Sequence, residues 1–220
     1  MTEPRAFVRE HTRLSPVPLV PEILLHQAEE AIALWERTEV SSPGRQAPPF
    51  WGFAWAGGQA LARYVLDNPA LVSGRGVLDL AAGSGLVAIA AAKAGAAPVT
   101  AVDIDPLSLA AVAANASANA VAVTAVERDI LDDPPDTEVL LTGGAVLAGD
   151  VFYSREMARR VMSYLRRAAA GGAKVLVGDP GRAYLPRSGL REVATYDVPV
   201  VATLEDAAVK HTTVWQVPAE

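Results

Sequence analysis

The chain has 220 residues, the size of one sizeable domain or of one domain with a short appendage. It contains no cysteine, which excludes disulfides, thiolate metal sites, iron–sulfur clusters and a cysteine nucleophile. Its formal net charge of −6 argues against nonspecific nucleic-acid binding as the main role. The three histidines, His11, His26 and His211, lack the spacing of metal ligands, so we expect no metal site.

The charges are unevenly distributed. Residues 103–138 hold eight acidic residues and one basic residue, whereas residues 155–191 hold nine basic and two acidic ones. The basic stretch indicates either a solvated helix face, the simpler interpretation, or a surface for an acidic or polar partner. No apolar run reaches the ~18 residues that span a bilayer, and residues 1–10 lack the apolar core of a secretory signal. We therefore expect a cytoplasmic protein without a membrane or nucleic-acid partner.

Residues 1–48 predict an N-terminal arm and helix, followed by a main domain over residues 49–220. Residues 1–20 contain three prolines and few apolar residues, which predicts an extended arm. A helix is predicted from Pro21, because proline suits the first helical position and apolar residues then recur at helical spacing as far as Trp35.

A loop and a second helix follow this appendage. Residues 41–50 are rich in proline and glycine and predict a linker or loop. The second helix is predicted over residues 58–67, with Asn68 and Pro69 ending it.

After residue 76, short β-rich runs alternate with alanine-rich helices. The predicted strands are 77–80, 99–102, 123–126, 146–148 and 174–177, and the predicted helices are 85–94, 106–120 and 154–169. Such alternation is typical of right-handed βαβ units on a parallel sheet. Two late runs, 190–201 and 209–217, predict an antiparallel hairpin at the sheet edge. The predicted fold is α/β, a doubly wound, mostly parallel sheet with an N-terminal helical appendage.

The run Val-Leu-Asp-Leu-Ala-Ala-Gly-Ser-Gly over residues 77–85 joins the first of these strands to a helix. Gly83 and Gly85 would let a ligand approach the backbone closely, beside the free N–H groups of a helix N-terminus. Asp103 ends the next strand, where a carboxylate can accept hydrogen bonds from both hydroxyls of a ribose. The pattern predicts a nucleoside cofactor.

Two nucleoside cofactors fit the loop. A nicotinamide dinucleotide would place its pyrophosphate over Gly83, Gly85 and Ala88. S-adenosylmethionine would place its amino-acid part at Asp79 and pass its methionine chain beside the glycines. Asp79 favours S-adenosylmethionine, because a carboxylate there repels a pyrophosphate and suits an ammonium group and a sulfonium. A plain glycine turn with helix-capping acids stays open at this point.

Asp129 and Ile130 follow the third predicted strand. The carboxylate of Asp129 is placed to accept a hydrogen bond from an adenine amino group, and Ile130 could pack on the ring. Taken alone, Asp129 would more often be a solvated loop acid, so only its position supports the assignment.

Five segments of the chain resemble one known family. They are residues 49–64, 77–85, 103–106, 149–153 and 178–182. In this order they resemble the electron-transfer-flavoprotein β-subunit lysine methyltransferases, a branch of the seven-β-strand protein methyltransferases, over roughly residues 15–217. The runs Trp-x-x-x-Trp-x-Gly-Gly-Gln and Gly-Asp-x-Phe-Tyr are specific to that branch.

The resemblance implies S-adenosylmethionine as methyl donor, lysine ε-amines of the flavoprotein β-subunit as acceptors, and no metal. It also implies that the late hairpin completes a seven-stranded sheet. Other class I activities stay open at this point, on another protein such as a ribosomal protein or on a small-molecule amine. So do an NAD-linked α/β enzyme and a non-catalytic interaction module.

The resemblance also implies how the Gly-Asp-x-Phe-Tyr run would act. Asp150 would capture and orient the incoming amine, while Phe152 and Tyr153 would wall its channel and attract ammonium groups through their π faces. Asp150 could alternatively cap the helix that starts at Ser154. Val151 and Phe152 replace the two prolines of the signature for amide or adenine amino-group methylation, which favours an amine acceptor.

Further residues of the resemblance have less definite roles. Trp51 and Trp55 are expected to cover the cofactor or border the acceptor channel, although both could be core aromatics. Arg182 could contact a substrate carboxylate or a neighbouring loop acid. Two positions depart from the family pattern: Ala81 replaces a first glycine and could crowd the cofactor slightly, and Ala56 stands where relatives often have proline.

Overall fold

The computed structural model describes residues 3–41, 48–135, 139, 143–186, 188–200 and 207–219. The strands are β1 Arg13–Val17, β2 Val20–Gln27, β3 Val77–Leu80, β4 Val99–Asp103, β5 Thr124–Glu127, β6 Ala145–Gly149, β7 Lys174–Asp179, β8 Arg191–Pro199 and β9 Val209–Val217. The helices are α1 Pro4–His11, α2 Ala31–Ser41, α3 Ala56–Asp67, α4 Leu86–Lys93, α5 Pro106–Ala118 and α6 Arg155–Ala170. Two short 3-10 turns are Phe50–Gly52 and Pro69–Leu71.

Seven strands form one mostly parallel sheet in the order β5-β4-β3-β6-β7-β9-β8. The strands from β5 to β7 run parallel, while β9 is antiparallel to both β7 and β8. The predicted α/β fold and its edge hairpin are confirmed. The strand order reverses between β3 and β6, which opens a crevice at the carboxyl ends of these strands.

Helices cover both faces of the sheet because its central strands are apolar on both sides. Leu78, Val146 and Val175 face one buried cluster with α6, whereas Leu147 and Leu176 face the other with α3 and α4. The alternation follows from the twofold side-chain period of a strand. Alanine-rich α4 contributes Val87, Ala88 and Ala91 to the second cluster.

The predicted N-terminal arm is wrong. Residues 4–11 form α1, whose Phe7 and Val8 are buried against α5, and residues 13–17 form strand β1. Glu3 caps α1 by accepting a hydrogen bond from the Ala6 N–H at 3.2 Å. A proline at the start of a helix and another in a two-stranded edge are both tolerated, so the proline content was a misleading signal.

The helix predicted from Pro21 is wrong in its first half, because residues 20–27 form β2 and only α2 is helical. Ile23 and Leu25 are buried on one side of this strand. Asn115 of α5 and Asn119, which follows the end of α5, form hydrogen bonds with the backbone of β2. The Leu24 N–H donates to Asn119 Oδ1 at 3.0 Å, and Asn119 Nδ2 donates to the Leu24 carbonyl at 2.6 Å. Such tertiary bonds override local helical periodicity.

The remaining predictions for this region have mixed outcomes. The second predicted helix is confirmed as α3. Of the predicted linker over residues 41–50, residues 42–47 lie outside the described part of the chain. The division at residue 48 stays a prediction, although β2 packs on α4 and α5 through Ile23 and Leu25.

The first turn of α3 lies in backbone contact with the ends of β6 and β7. A Cβ atom on Gly57 would lie 2.2 Å from the Gly178 carbonyl oxygen, and one on Gly149 would lie 2.8 Å from Gly58 Cα. Only glycine allows this approach. The glycines of the sequence motifs therefore serve to bring α3 against the crevice.

We expect Gly57→Ala to lower the free energy of unfolding by about 2 kcal/mol, because the added methyl group overlaps the β7 backbone. Gly58→Ala is the matched control: its Cβ would meet only Leu86 Cδ2, at the ordinary distance of 3.7 Å. Urea unfolding of both variants measures the difference. Equal stability of the two variants would contradict the close packing of α3 on β7.

Candidate active site

A cavity of about 310 Å³ opens at the carboxyl ends of the central strands. Predicted site residues that line it are Trp55, Asp79, Gly83, Asp103, Asp129, Ile130, Asp150, Tyr153 and Arg182. The acidic residues follow the order of the strands, with Asp129 after β5, Asp103 on β4, Asp79 on β3 and Asp150 after β6. The crevice of the doubly wound sheet thus brings together residues that are far apart in sequence.

Asp79 is a buried carboxylate, 1% exposed, in the middle of this cavity. Its Oδ2 accepts a hydrogen bond from the Ala88 N–H in α4 at 2.9 Å. Burial raises the pKa of Asp79 from its ordinary 3.8 to about 7; the Ala88 N–H opposes the rise and the charge of Asp103 adds to it. Within the described residues no cation pairs with Asp79, so the site is suited to a cationic ligand group.

The loop after β3 holds left-handed backbone at three positions. Ala81, Gly83 and Gly85 have φ values of 54°, 52° and 77°. Ala81 therefore departs from the usual glycine at a position that favours glycine. Gly83 lines the cavity, whereas the predicted cofactor residue Gly85 is not among the lining residues; a Cβ there would lie 3.0 Å from Val112 Cγ2 of α5.

Asp103 fixes this loop. Its Oδ2 accepts a hydrogen bond from the Gly83 N–H at 2.8 Å, and its Oδ1 accepts one from the Asp105 N–H at 3.0 Å. A carboxylate has about four acceptor positions, so Asp103 can accept further hydrogen bonds from the cavity side. Asp105 caps α5 through the Leu107 N–H at 2.8 Å.

Asp129 is held by an arginine that sequence reasoning missed. Arg160 of α6 donates to Asp129 Oδ2 at 2.9 Å, and the Leu131 N–H donates to Asp129 Oδ1 at 3.1 Å. The hydrogen bond from Arg160 lowers the pKa of Asp129 below its ordinary value. Ile130 lines the cavity beside it. The only sequence signal for Arg160 was the basic run that begins at residue 155.

Asp150 joins three segments at the other end of the cavity. Its Oδ2 accepts a hydrogen bond from the Gly58 N–H of α3 at 2.9 Å, and its Oδ1 accepts from Arg182 Nε at 3.0 Å and Nη2 at 2.6 Å. Burial raises the pKa of Asp150 to about 6 despite the lowering by Arg182 and by the Gly58 N–H. Asp150 also has a positive φ of 59°, a strained conformation that clusters at functional sites.

Three aromatic side chains line the opening beside Asp150. The ring centroids of Phe50 and Tyr153 are 5.5 Å apart, those of Phe50 and Trp55 are 6.0 Å apart, and Tyr153 is 51% exposed. The Arg182 guanidinium lies over the Trp55 ring, 5.6 Å from its centroid. Phe50 belongs to the aromatic motif, but no sequence signal distinguished it from its neighbours.

Two predicted substrate residues are wrong. Trp51 is fully buried against Phe7 and Leu34, and Phe152 is fully buried in the cluster that α6 covers. Neither lines the cavity. Both aromatic rings are core side chains, because the local backbone points them away from the opening that Tyr153 borders.

The alternative role of Asp150 as a cap for α6 is also wrong. Ser154 performs that function, with its Oγ accepting a hydrogen bond from the Met157 N–H at 3.2 Å. The cap that Asp150 does provide is on α3, where it satisfies the third N–H of the first turn. Of the two partners open for Arg182, the structure selects the neighbouring loop acid, since its guanidinium is bound to Asp150.

The described residues include no group of three or more potential metal-ligating side chains. In the same part of the chain, every helix is too short or too polar to cross a membrane.

The strand order and the flanking helices are those of the class I methyltransferase fold. The fold is similar to that of magnesium protoporphyrin IX methyltransferase from Synechocystis PCC 6803 with bound S-adenosylmethionine, with a TM-score of 0.51 and 16% identity over 72% of this chain and 77% of that chain. It is also similar to a Pyrococcus horikoshii protein proposed to be an RNA methyltransferase, with a TM-score of 0.58 and 14% identity over 86% and 96%.

The chain belongs to the electron transfer flavoprotein beta subunit lysine methyltransferase family. It is 36% identical to the Xenopus laevis member, over 97% of this chain and 87% of that protein, and 34% identical to the Homo sapiens member, over 97% and 81%. The sequence model of the ribosomal protein L11 methyltransferase (PrmA) family matches residues 60–142. The resemblance predicted from the sequence is confirmed.

We expect Asp79 to make the unliganded protein less stable as the pH rises from about 4 to about 7. The unfolded chain loses the Asp79 proton near 3.8 and the folded chain near 7, so between these values the folded state binds more protons and a rise in pH favours unfolding. Asp79→Asn should remove this loss and gain a few kcal/mol at pH 7. Urea unfolding from pH 4 to pH 8 measures it, and identical pH profiles of variant and wild type would contradict the assignment.

Proposed function

We propose that this protein transfers methyl groups from S-adenosylmethionine to lysine ε-amines of the electron transfer flavoprotein β-subunit. The observation that carries the chemistry is the cavity itself, which has the unpaired buried carboxylate of Asp79 at its centre and the aromatic opening of Phe50 and Tyr153 at one end. The names of the family members support the acceptor.

The side chains of the cavity fit the donor. Asp79 would bind the ammonium group of the methionine part, Asp103 the ribose hydroxyls, and Asp129 with Ile130 the adenine. When bound, S-adenosylmethionine supplies an electrophilic methyl group on its sulfonium. The acids stand in the order β5, β4, β3 across the sheet, which matches the order adenine, ribose, amino acid along such a nucleoside.

A nicotinamide dinucleotide fits the same cavity poorly. Its pyrophosphate would lie beside Asp79 and Asp103, and two carboxylates disfavour a dianion. Asp79 therefore favours the methyl donor, as the sequence indicated.

The acceptor nitrogen must be a neutral amine with a free lone pair. A free lysine has a pKa of about 10.4, and apolar, dry surroundings lower that pKa. Asp150 is already bonded to Arg182 and to the Gly58 N–H, so this ion pair presents little net charge to an incoming amine. Direct capture of the ammonium by Asp150 was the sequence-based expectation. We now assign Asp150 a positioning role, in which it fixes Arg182 and the start of α3.

Tyr153, Phe50 and Trp55 would receive the acceptor side chain. Their rings can pack on the lysine methylenes, attract its ammonium form before the proton leaves to water, and exclude water from the cavity. The rate enhancement would come mainly from alignment of the amine with the methyl group. The PrmA match, residues 60–142, contains none of these three residues, so it gives no support to a ribosomal acceptor.

The proposal is tested by incubating the protein with labelled S-adenosylmethionine and purified flavoprotein β-subunit, followed by mass spectrometry of lysine-containing peptides. We expect methylated lysine with the wild type. Asp79→Asn should weaken S-adenosylhomocysteine binding about 100-fold, because it removes the charge that pairs with the ammonium group. Arg75→Gln, which changes an exposed guanidinium outside the cavity, is the control.

Absence of label on lysine with the wild type, at a cofactor concentration that calorimetry shows to be saturating, would refute the acceptor assignment. Unchanged S-adenosylhomocysteine affinity of Asp79→Asn would refute the role of Asp79 instead.

We expect Tyr153→Ala to raise the KM for the β-subunit about 5-fold, because a cation–π and packing contact on the order of 1 kcal/mol is lost. Tyr153→Phe keeps the ring and should retain the wild-type KM. Steady-state kinetics at saturating cofactor and calorimetry with S-adenosylhomocysteine separate acceptor from donor binding. A change in the affinity for S-adenosylhomocysteine with an unchanged KM for the β-subunit would place Tyr153 in the donor-binding part of the cavity and contradict its role in acceptor binding.

A further inference from the structure

Helix α6 carries its five arginines in two rows. The inner row, Arg160 and Arg167, faces the loop after β5: Arg160 Nη2 donates to Asp132 at 2.6 Å, and Arg167 Nη2 donates to the Leu131 carbonyl at 2.7 Å. Together with the hydrogen bond from Arg160 to Asp129, these contacts hold the loop at the proposed adenine end of the cavity in place. The inner row is therefore part of the protein's own structure.

The outer row consists of Arg155, Arg159 and Arg166. With 100° per residue, these three positions fall within about 40° of each other around the helix, and all three are exposed. Among the residues that the structure describes, none of them has an ion pair or a hydrogen-bonding acid. The one acid on α6, Glu156, lies about 100° around the helix from Arg155.

The outer row begins at the opening of the cavity. Arg155 follows the exposed rim residue Tyr153 by two positions. The outer row lies on the side of α6 away from Met157, which lines the cavity and is about 200° around the helix from Arg155. From Arg155 to Arg166 the row extends for about 17 Å. It is a local concentration of positive charge on a chain whose net charge is −6.

We propose that the outer row docks an acidic segment of the protein whose lysine enters the cavity. This inference rests on the proposed function. An acidic segment beside the acceptor lysine would be attracted to the three guanidinium groups, which would orient the lysine towards Tyr153. The net negative charge of the rest of the enzyme would disfavour other orientations of an acidic partner.

The surface fits a protein better than a nucleic acid. Three adjacent cations over about 17 Å are few for a phosphate backbone, which binding proteins commonly contact at six to ten positions, and the surrounding charge of −6 repels a polyanion. A protein segment with two to four carboxylates matches the number and spacing of the row.

The test is the triple variant Arg155→Glu, Arg159→Glu, Arg166→Glu, with methylation of the β-subunit measured at about 0.02 M and about 0.3 M salt. We expect the KM to rise at least about 10-fold at low salt with kcat within about twofold, and the difference to shrink at high salt because charges are screened. The triple arginine-to-lysine variant should restore the wild-type KM, since it keeps the charge.

The matched control is Arg5→Glu, Arg9→Glu, Arg13→Glu. These are also three exposed arginines, none of which lines the cavity, so the net charge changes by the same amount. The control should keep the wild-type KM. S-adenosylhomocysteine affinity and the melting temperature, measured for each variant, establish that the site is intact.

Each outcome decides the inference. An unchanged KM in the outer-row variant, or an equal rise in the control, overturns the docking surface while the proposed function stands. Loss of binding to a fluorescent RNA oligonucleotide with unchanged KM assigns the row to nucleic acid and also overturns it. A wild type that does not methylate the β-subunit overturns the proposed function, and the assigned partner with it.

Discussion

The carboxylate of Asp150 provides the interaction on which one end of the cavity depends. It ties together the first turn of α3, the end of β6 and the loop after β7, through one backbone N–H and one guanidinium. The glycines on both sides make this possible, because Gly57, Gly149 and Gly178 let the backbones touch. Residues 49–64 and 149–153, two motifs that are distant in sequence, thus meet in one junction, whose geometry requires glycine at these positions.

At the Asp79 end of the cavity the governing constraint is electrostatic. Asp79 is buried without a cation among the described residues, which costs stability and creates affinity for a positively charged ligand. Asp150, in contrast to Asp79, is a buried carboxylate whose charge is neutralised by Arg182. The Asp79 end of the cavity therefore attracts a cationic group such as an ammonium, whereas the Asp150 end, where the charge is neutralised by Arg182, does not. This difference in charge distinguishes the two ends of the cavity.

The central sheet and the grouping of acidic residues around the glycine loop could be predicted from sequence, because both rest on local signals. β3, the glycine loop and Asp103 lie within 27 residues and follow the strand–turn–helix pattern. β2 could not be predicted, since Asn115 and Asn119 complete its edge from far along the chain. The aromatic motifs were found, but only the tertiary packing decides that Trp51 and Phe152 point into the core while Phe50 and Tyr153 point outward.

The asparagine contacts between α5 and β2 have a consequence for shortened forms of the protein. Asn115 is fully buried and donates to the Ser84 carbonyl in the glycine loop at 2.8 Å, while its Oδ1 accepts the His26 N–H at 2.7 Å. One amide thereby links the N-terminal strand to the cofactor loop. Deleting the first 48 residues would remove this link and expose apolar surface on α4 and α5, so we expect the N-terminal segment to be needed for the stability of the glycine loop.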